Sequence, residues 1–196
     1  MTATRGRPKT LNRQKTLDVA MLAYWQDGIS AVSLNEICRR AAISKPGLYR
    51  EFGGEDGLMQ AVLAHYQHHV LEEMLQILDT QKSLRDTLIA LVTLVTQVNN
   101  SEAPKGCLLI KMRDVRLHLG EATQQQIDET CQYQLEAFTQ WLEYLAQQGE
   151  YKSTITPAFA ATYIVAQLSQ ALTQIALGED SETVKAILTT AFSVLE

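Results

Sequence analysis

Two helix-start signals stand close together early in the chain. Ser33-Leu34-Asn35-Glu36 is a capping box, a serine N-cap with glutamate three residues on. Ser44-Lys45-Pro46-Gly47 opens a second helix, with proline in the first turn, where a missing N–H is harmless. Gly53-Gly54 stops that second helix after a short run, and only Ala41-Ala42-Ile43 is left between the two helices for a turn. The spacing predicts a helix-turn-helix, the arrangement that lays its second helix in the DNA major groove. Gly47 inside that helix needs a reason, because glycine weakens a helix by roughly 1 kcal/mol relative to alanine. Close approach of the backbone to base edges and phosphates is the reason expected. Lys45, Tyr49 and Arg50 surround the helix start with donors, and Leu48 and Phe52 are expected to face inward.

The charge is distributed unevenly. Residues 1–54 hold nine basic and four acidic side chains, a net of +5, so the remainder carries -10 of the total of -5. A basic head on an acidic body suggests that the head meets a polyanion and the body does not.

Helical periodicity runs through the chain. Residues 10–27 carry Leu17, Ala20, Met21 and Tyr24 at i, i+3, i+4, i+7, with Gly28 as the stop. One long helix is expected over 55–79, with Leu58, Val62, Tyr66, Val70, Met74 and Ile77 as its apolar series. Further helices are expected over 83–99, 106–118, 121–148, 156–177 and 181–195, the last capped by Ser181. No β pattern appears, and 4 Pro and 10 Gly argue against a loop-rich all-β fold. The expected fold class is all-α, with a helix-turn-helix head over residues 1–54 and a larger helical body over 55–196. No apolar run approaches the roughly 20 residues of a membrane span, and the charged start is no secretory signal. Three cysteines without a CxxC pairing give no disulfide framework or zinc knuckle. The chain reads as soluble and cytoplasmic.

The last two helices are expected to pair with a second copy. The run Phe159–Leu177 is apolar almost all round, and Val184, Ile187, Leu188 and Phe192 follow at helical spacing. Phe159, Tyr163, Leu168, Leu172, Val184, Ile187, Leu188 and Phe192 are the expected interface of an intermolecular four-helix bundle, burial within one chain being the alternative.

The run LDVAMLAYWQDGISAVSLNEICRRAAISKPGLYREFGGEDGL resembles the TetR family of bacterial transcriptional repressors. It keeps, in order, the Ser cap, the Ala-rich turn, Leu-Tyr, Phe and the final Leu. The resemblance covers roughly residues 5–60. It implies a small DNA-binding domain, a larger ligand-binding domain and a homodimer formed by the last two helices. It also implies that Ser33 and Tyr49 contact phosphate, that Lys45, Pro46, Gly47 and Arg50 face the groove, and that the arm bearing Arg5, Arg7 and Lys9 reaches the DNA backbone or minor groove. Two positions depart from the pattern. Ala42 replaces the turn glycine, at a cost on the order of 1 kcal/mol if the turn is left-handed. Glu55 stands where many members place a lysine near a phosphate.

The expected function is a ligand-responsive regulator, a repressor, that binds a palindromic operator as a homodimer and is released by a small-molecule effector. The alternative is a TetR-like helical module that binds a protein partner instead. Cys107, with a helix start and Lys105, Lys111 and Arg113 nearby, is a candidate effector-binding or redox-sensing thiol, since such surroundings favour thiolate. The alternative for Cys107 is a small core residue. His65, His69 and Glu73 share a helix face, for which a solvated or pocket-wall role is preferred to a metal. No metal or cofactor is expected. Tyr133, Phe138, Trp141 and Tyr144 are expected to pack in the core, with a pocket wall as the alternative. No enzyme is expected, since GxSxG, HExxH, a phosphate-binding glycine loop and paired carboxylates are all missing.

Overall fold

The computed structural model describes residues 11–97 and 104–195, and these contain helices and turns but no strand. Helices α1 (Arg13–Asp27), α2 (Leu34–Ala41) and α3 (Lys45–Phe52) form the head. Asn12 caps α1 by accepting from the Lys15 N–H at 3.0 Å. Leu17, Ala20 and Tyr24 of α1, Ile37 of α2 and Leu48 of α3 meet in its core, all nearly or fully buried. Each such large side chain contributes roughly 1.5–3 kcal/mol by leaving water.

The chain continues into α4 (Glu55–Tyr66), a π-helical turn (Gln67–Leu71) and α5 (Glu72–Leu75). This interrupts the single helix expected over 55–79. The buried series runs Leu58, Val62, Tyr66 and then Leu71 and Leu75, while Val70 and Met74 are only half-buried. A π turn inserts one residue into the helical repeat, which moves the inward face by one position. Extrapolating a 3.6-residue period through residues 67–71 therefore selects the wrong pair.

The body is completed by α6 (Leu84–Thr96), α7 (Leu108–Asp114), α8 (Glu121–Gln147), α9 (Pro157–Leu177) and α10 (Ser181–Phe192). Helix α8 packs against α4, α7 and α9, and α10 closes the other side against α6 and α9. The N-cap of α10 is Asp180, not Ser181; its carboxylate accepts from the Thr183 N–H at 2.9 Å. Phe138, Trp141, Leu142 and Leu145 on α8 and Ile164 on α9 form the centre of the body core. Tyr133 and Tyr144 instead lie partly exposed, at 38% each.

The terminal helices divide their apolar residues between two faces. Leu168, Val184, Leu188 and Phe192, all expected at an interface between copies, are buried within the chain's own core. Val184, Leu188 and Phe192 follow one stripe of α10, which packs against α6 and α9. Phe159 and Ile187 are exposed, at 63% and 45%, Tyr163 and Leu172 are half-buried, and Leu177 and Val194 join the exposed face.

Candidate nucleic-acid interface

The Ser33 side chain accepts from the Glu36 N–H at 3.3 Å, so α2 starts where the capping box predicts. The other half of the box is absent, because the Glu36 carboxylate is engaged by Arg39 at 2.7 and 2.8 Å and by Arg40 at 2.7 Å. Those guanidinium hydrogen bonds hold the Glu36 carboxyl at about 2, far below its ordinary value. Arg40 also reaches Asp27 at 2.6 Å and ties α2 to the end of α1. Arg13 pairs with Glu51 at 3.4 Å and lies over the Phe52 ring.

These pairs leave a distinct set of cations for a partner. Lys45 and Arg50 on α3 are exposed and have no carboxylate partner among the described residues. Tyr49, 49% exposed, stands beside them, and its ring lies over Gly54, where an added Cβ would come within 3.6 Å of it. Pro46 is exposed at the opening turn, whose N-cap Ser44 accepts from the Gly47 N–H at 3.2 Å. Leu48 and Phe52 face inward, as their spacing predicts.

Gly47 has an internal reason that the expected groove contact did not include. It is buried, and an added Cβ would lie 3.0 Å from the Ser44 hydroxyl that caps its own helix. Ala42 sits at φ 54° and ψ 43° with its N–H turned back to the Arg39 carbonyl at 3.3 Å. The turn between α2 and α3 is thus left-handed without a glycine. Arg5, Arg7 and Lys9 lie outside the described residues. Glu55 is exposed in the first turn of α4, a favourable place for a carboxylate relative to the helix dipole.

The joint between head and body was not foreseen from the sequence. The indole N–H of Trp25, on α1, donates to the Gly106 carbonyl at 3.0 Å, and the Lys111 ammonium donates back to the Trp25 carbonyl. The Trp25 ring meets Tyr66 edge-on at 5.1 Å, and the Tyr66 hydroxyl lies 3.2 Å from Cys107 Sγ. Burial pushes the Cys107 thiol pKa up, more than the Tyr66 hydroxyl, the amides of α7 and Arg113 lower it. This is opposite to the thiolate-favouring effect expected from its neighbours in sequence. His65 is buried and hydrogen-bonds Asp18 at 2.7 Å, and its ring lies 4.2 Å from that of His69. Among the described residues no group of three or more His, Cys, Asp or Glu side chains is arranged to hold a metal ion. No described helix is long and apolar enough to cross a membrane.

Two short helices joined by a tight turn, with the second offering unpaired cations and an exposed tyrosine, define a helix-turn-helix protein of the DNA-binding class. The family described as "Bacterial regulatory proteins, tetR family" matches residues 17–62, the helix-turn-helix and the start of α4. It is similar to the HTH-type transcriptional repressor ComR of Escherichia coli (strain K12), with 33% identity over 109 residues. That alignment spans 55% of this chain and only 52% of the relative's length. Among solved structures it is similar to the reduced form of E. coli NemR, with a TM-score of 0.82 and 18% identity over 94% of this chain and 97% of that one. It is also similar to a cysteine-substituted CifR complexed with 26-bp double-strand operator DNA. That match has a TM-score of 0.80 and 22% identity over 97% of this chain and 100% of that one. Both structural likenesses carry the fold, an N-terminal helix-turn-helix followed by a larger helical domain.

Proposed function

We propose that this chain is a ligand-responsive transcriptional repressor that binds a near-palindromic operator as a homodimer in the cytoplasm. Residues 1–54 form its DNA-binding domain and residues 55–196 its effector-binding and dimerisation domain. The observation that carries the reading is the pair of uncommitted cations on α3, Lys45 and Arg50, in a head whose other described arginines are held by carboxylates. In this reading Arg50 and Lys45 donate to base edges, while Ser33, Tyr49 and the arm with Arg5, Arg7 and Lys9 fix register on phosphates. Pro46 and Gly47 keep the opening turn of α3 slim. Two heads related by a twofold axis then read half-sites roughly 34 Å apart or a multiple of it.

The exposed apolar residues Phe159, Ile187, Leu177 and Val194, with half-buried Tyr163 and Leu172, support pairing of two copies through α9 and α10. The small-molecule effector acts by binding one head separation better than the other, the only way a ligand shifts such an equilibrium. The binding of CifR to operator DNA, a protein of the same fold, adds support. The test is selection of random and genomic DNA fragments by the purified chain at stated near-physiological salt. A recovered palindrome, lost with Arg50→Ala or Tyr49→Ala, upholds the reading. Failure of a well-folded dimer to enrich any sequence overturns it in favour of a protein-binding module.

A further inference from the structure

Helix α8 is the longest of the body, yet its N-cap, Gly120, offers no side chain to its first amides. The cap comes from Asp56, at the start of α4. One carboxylate oxygen of Asp56 accepts from the Ala122 N–H at 3.1 Å. The other accepts from the Thr123 N–H at 2.9 Å and lies 2.6 Å from the Thr123 hydroxyl, which is also 3.0 Å from the Asp56 carbonyl. Thr123 is fully buried. Burial raises the Asp56 pKa, but the hydrogen bonds from Thr123 and Ala122 outweigh it and bring the carboxyl below its ordinary value.

Two further observations make this contact more than a cap. Gly120 is fitted to it, since an added Cβ would lie 2.2 Å from the Asp56 carboxyl carbon and 2.4 Å from one of its oxygens. Any side chain at Gly120 must therefore push the carboxylate off the helix end. Beside Asp56 a cleft of about 540 Å³ separates Ile29–Ser33 of the head from Val115 and His118–Gly120 of the body. Helix α4 packs against α1 and α3 of the head as well as α8 of the body, so Asp56 lies where the two meet. Ser33 of the head and Glu55 of α4 also line the cleft.

We propose that Asp56 and the N-terminus of α8 form a latch that fixes the orientation of the DNA-binding head on the body. Opening and closing it biases operator affinity. The inference rests on the operator-binding reading given above. It gives the body a defined lever on the head, because whatever shifts α8 along its axis pulls directly on the first turn of α4. Linkage is reciprocal, so if the latch biases operator binding, operator binding must bias the latch.

The test combines two measurements on the full-length chain with its selected operator. The first is the operator Kd of Asp56→Asn and Thr123→Val, each close in shape to the native residue. The second is hydrogen exchange at the Ala122 and Thr123 amides of the native chain with and without operator, read by fragment-resolved mass spectrometry. The expected result is a shift in Kd of at least about fivefold, in the same direction for both variants, the low end of allosteric couplings. Operator should change the protection of the two amides by a comparable factor. Variants that fold and bind with native Kd overturn the proposal, as does amide protection indifferent to operator; the latter decides alone if the variants do not fold. If the native chain selects no sequence at all, the operator-binding reading fails first, and the latch's regulatory role falls with it.

Discussion

The indole N–H of Trp25 donates to the Gly106 carbonyl at 3.0 Å, joining the last turn of α1 to the segment that leads into α7. These residues are far apart in sequence, and the bond holds the head against the body. Trp25→Phe keeps the edge-on ring contact with Tyr66 but leaves a partly buried carbonyl unpaired. The expected loss of stability is about 1–2 kcal/mol. Chemical denaturation should show a lower midpoint with an unchanged m-value, and an unchanged midpoint would mean that water replaces the indole without cost.

The left-handed Ala42 stores strain at the centre of the helix-turn-helix. Its φ of 54° is the one positive value among described non-glycine residues. A left-handed L-residue costs about 1–2 kcal/mol, while glycine loosens the unfolded chain by part of that amount. Ala42→Gly is expected to raise stability by about 0.5–1 kcal/mol, read as a higher thermal midpoint. A lower midpoint would show that the Ala42 methyl makes a packing contribution larger than the strain.

The pH dependence of the latch follows from the lowered Asp56 pKa. A carboxyl that is more acidic in the folded chain adds stability above its unfolded value of about 3.9, and that stability is lost as pH falls through the folded value. The destabilisation caused by Asp56→Asn should therefore be constant from about pH 8 to pH 5 and shrink below about pH 4. Urea titrations of both chains across that range test this. A difference that grows towards acid would contradict the sign.

How far the fold was legible depends on whether the deciding signal is local. The caps Ser33 and Ser44 act within one turn, and the helix starts they mark are where the sequence places them, whereas α1 starts at Arg13 behind Asn12, later than the expected residue 10. The order of the helices follows from periodicity for the same reason, although the helix expected over 106–118 is α7 only over Leu108–Asp114. The π turn after Tyr66 was not legible, because Leu71 and Leu75 differ from Val70 and Met74 only in which neighbours they meet. Asp180 and Ser181 are both good caps, and only the backbone settles between them. Leu168, Val184, Leu188 and Phe192 have the same spacing whether they face the chain's own core or another copy. The exposed donors of α3 were legible as a set, but the inward turn of Gly47 and the pairing of Asp56 with Gly120 join residues through contacts that no spacing encodes.

Cys107 tests local against tertiary reasoning in one side chain. Sequence neighbours suggest a reactive thiolate, but burial raises its pKa and leaves it a thiol at neutral pH. Iodoacetamide should modify Cys107 at least about tenfold more slowly than free cysteine at pH 7.5, with a pH midpoint above the ordinary thiol value. Tyr66→Phe removes a hydroxyl that lowers this pKa and should slow the reaction further. Peptide mapping distinguishes Cys107 from Cys38 and Cys131. Modification at the rate of free cysteine would mean that the segment around Gly106 opens in solution.

The division of the head's cations into committed and uncommitted predicts how salt dependence responds to substitution. Lys45 and Arg50 are exposed without a carboxylate partner among the described residues, whereas Arg40 is bound to both Glu36 and Asp27. A residue that contacts a phosphate contributes about one unit to the slope of log Kobs against log salt, and one that reads a guanine edge contributes about 1–3 kcal/mol of discrimination. Lys45→Ala or Arg50→Ala should weaken operator binding accordingly, by a lower salt slope if the contact is to phosphate and by relaxed sequence preference if it is to a base. Arg40→Ala should lower the stability of the head while leaving the slope of the folded protein unchanged, because that charge is already neutralised within α1 and α2. Fluorescence anisotropy over about 50–300 mM salt separates the cases. Equal slopes for all three variants would show that the intramolecular pairs of Arg40 exchange freely for phosphate.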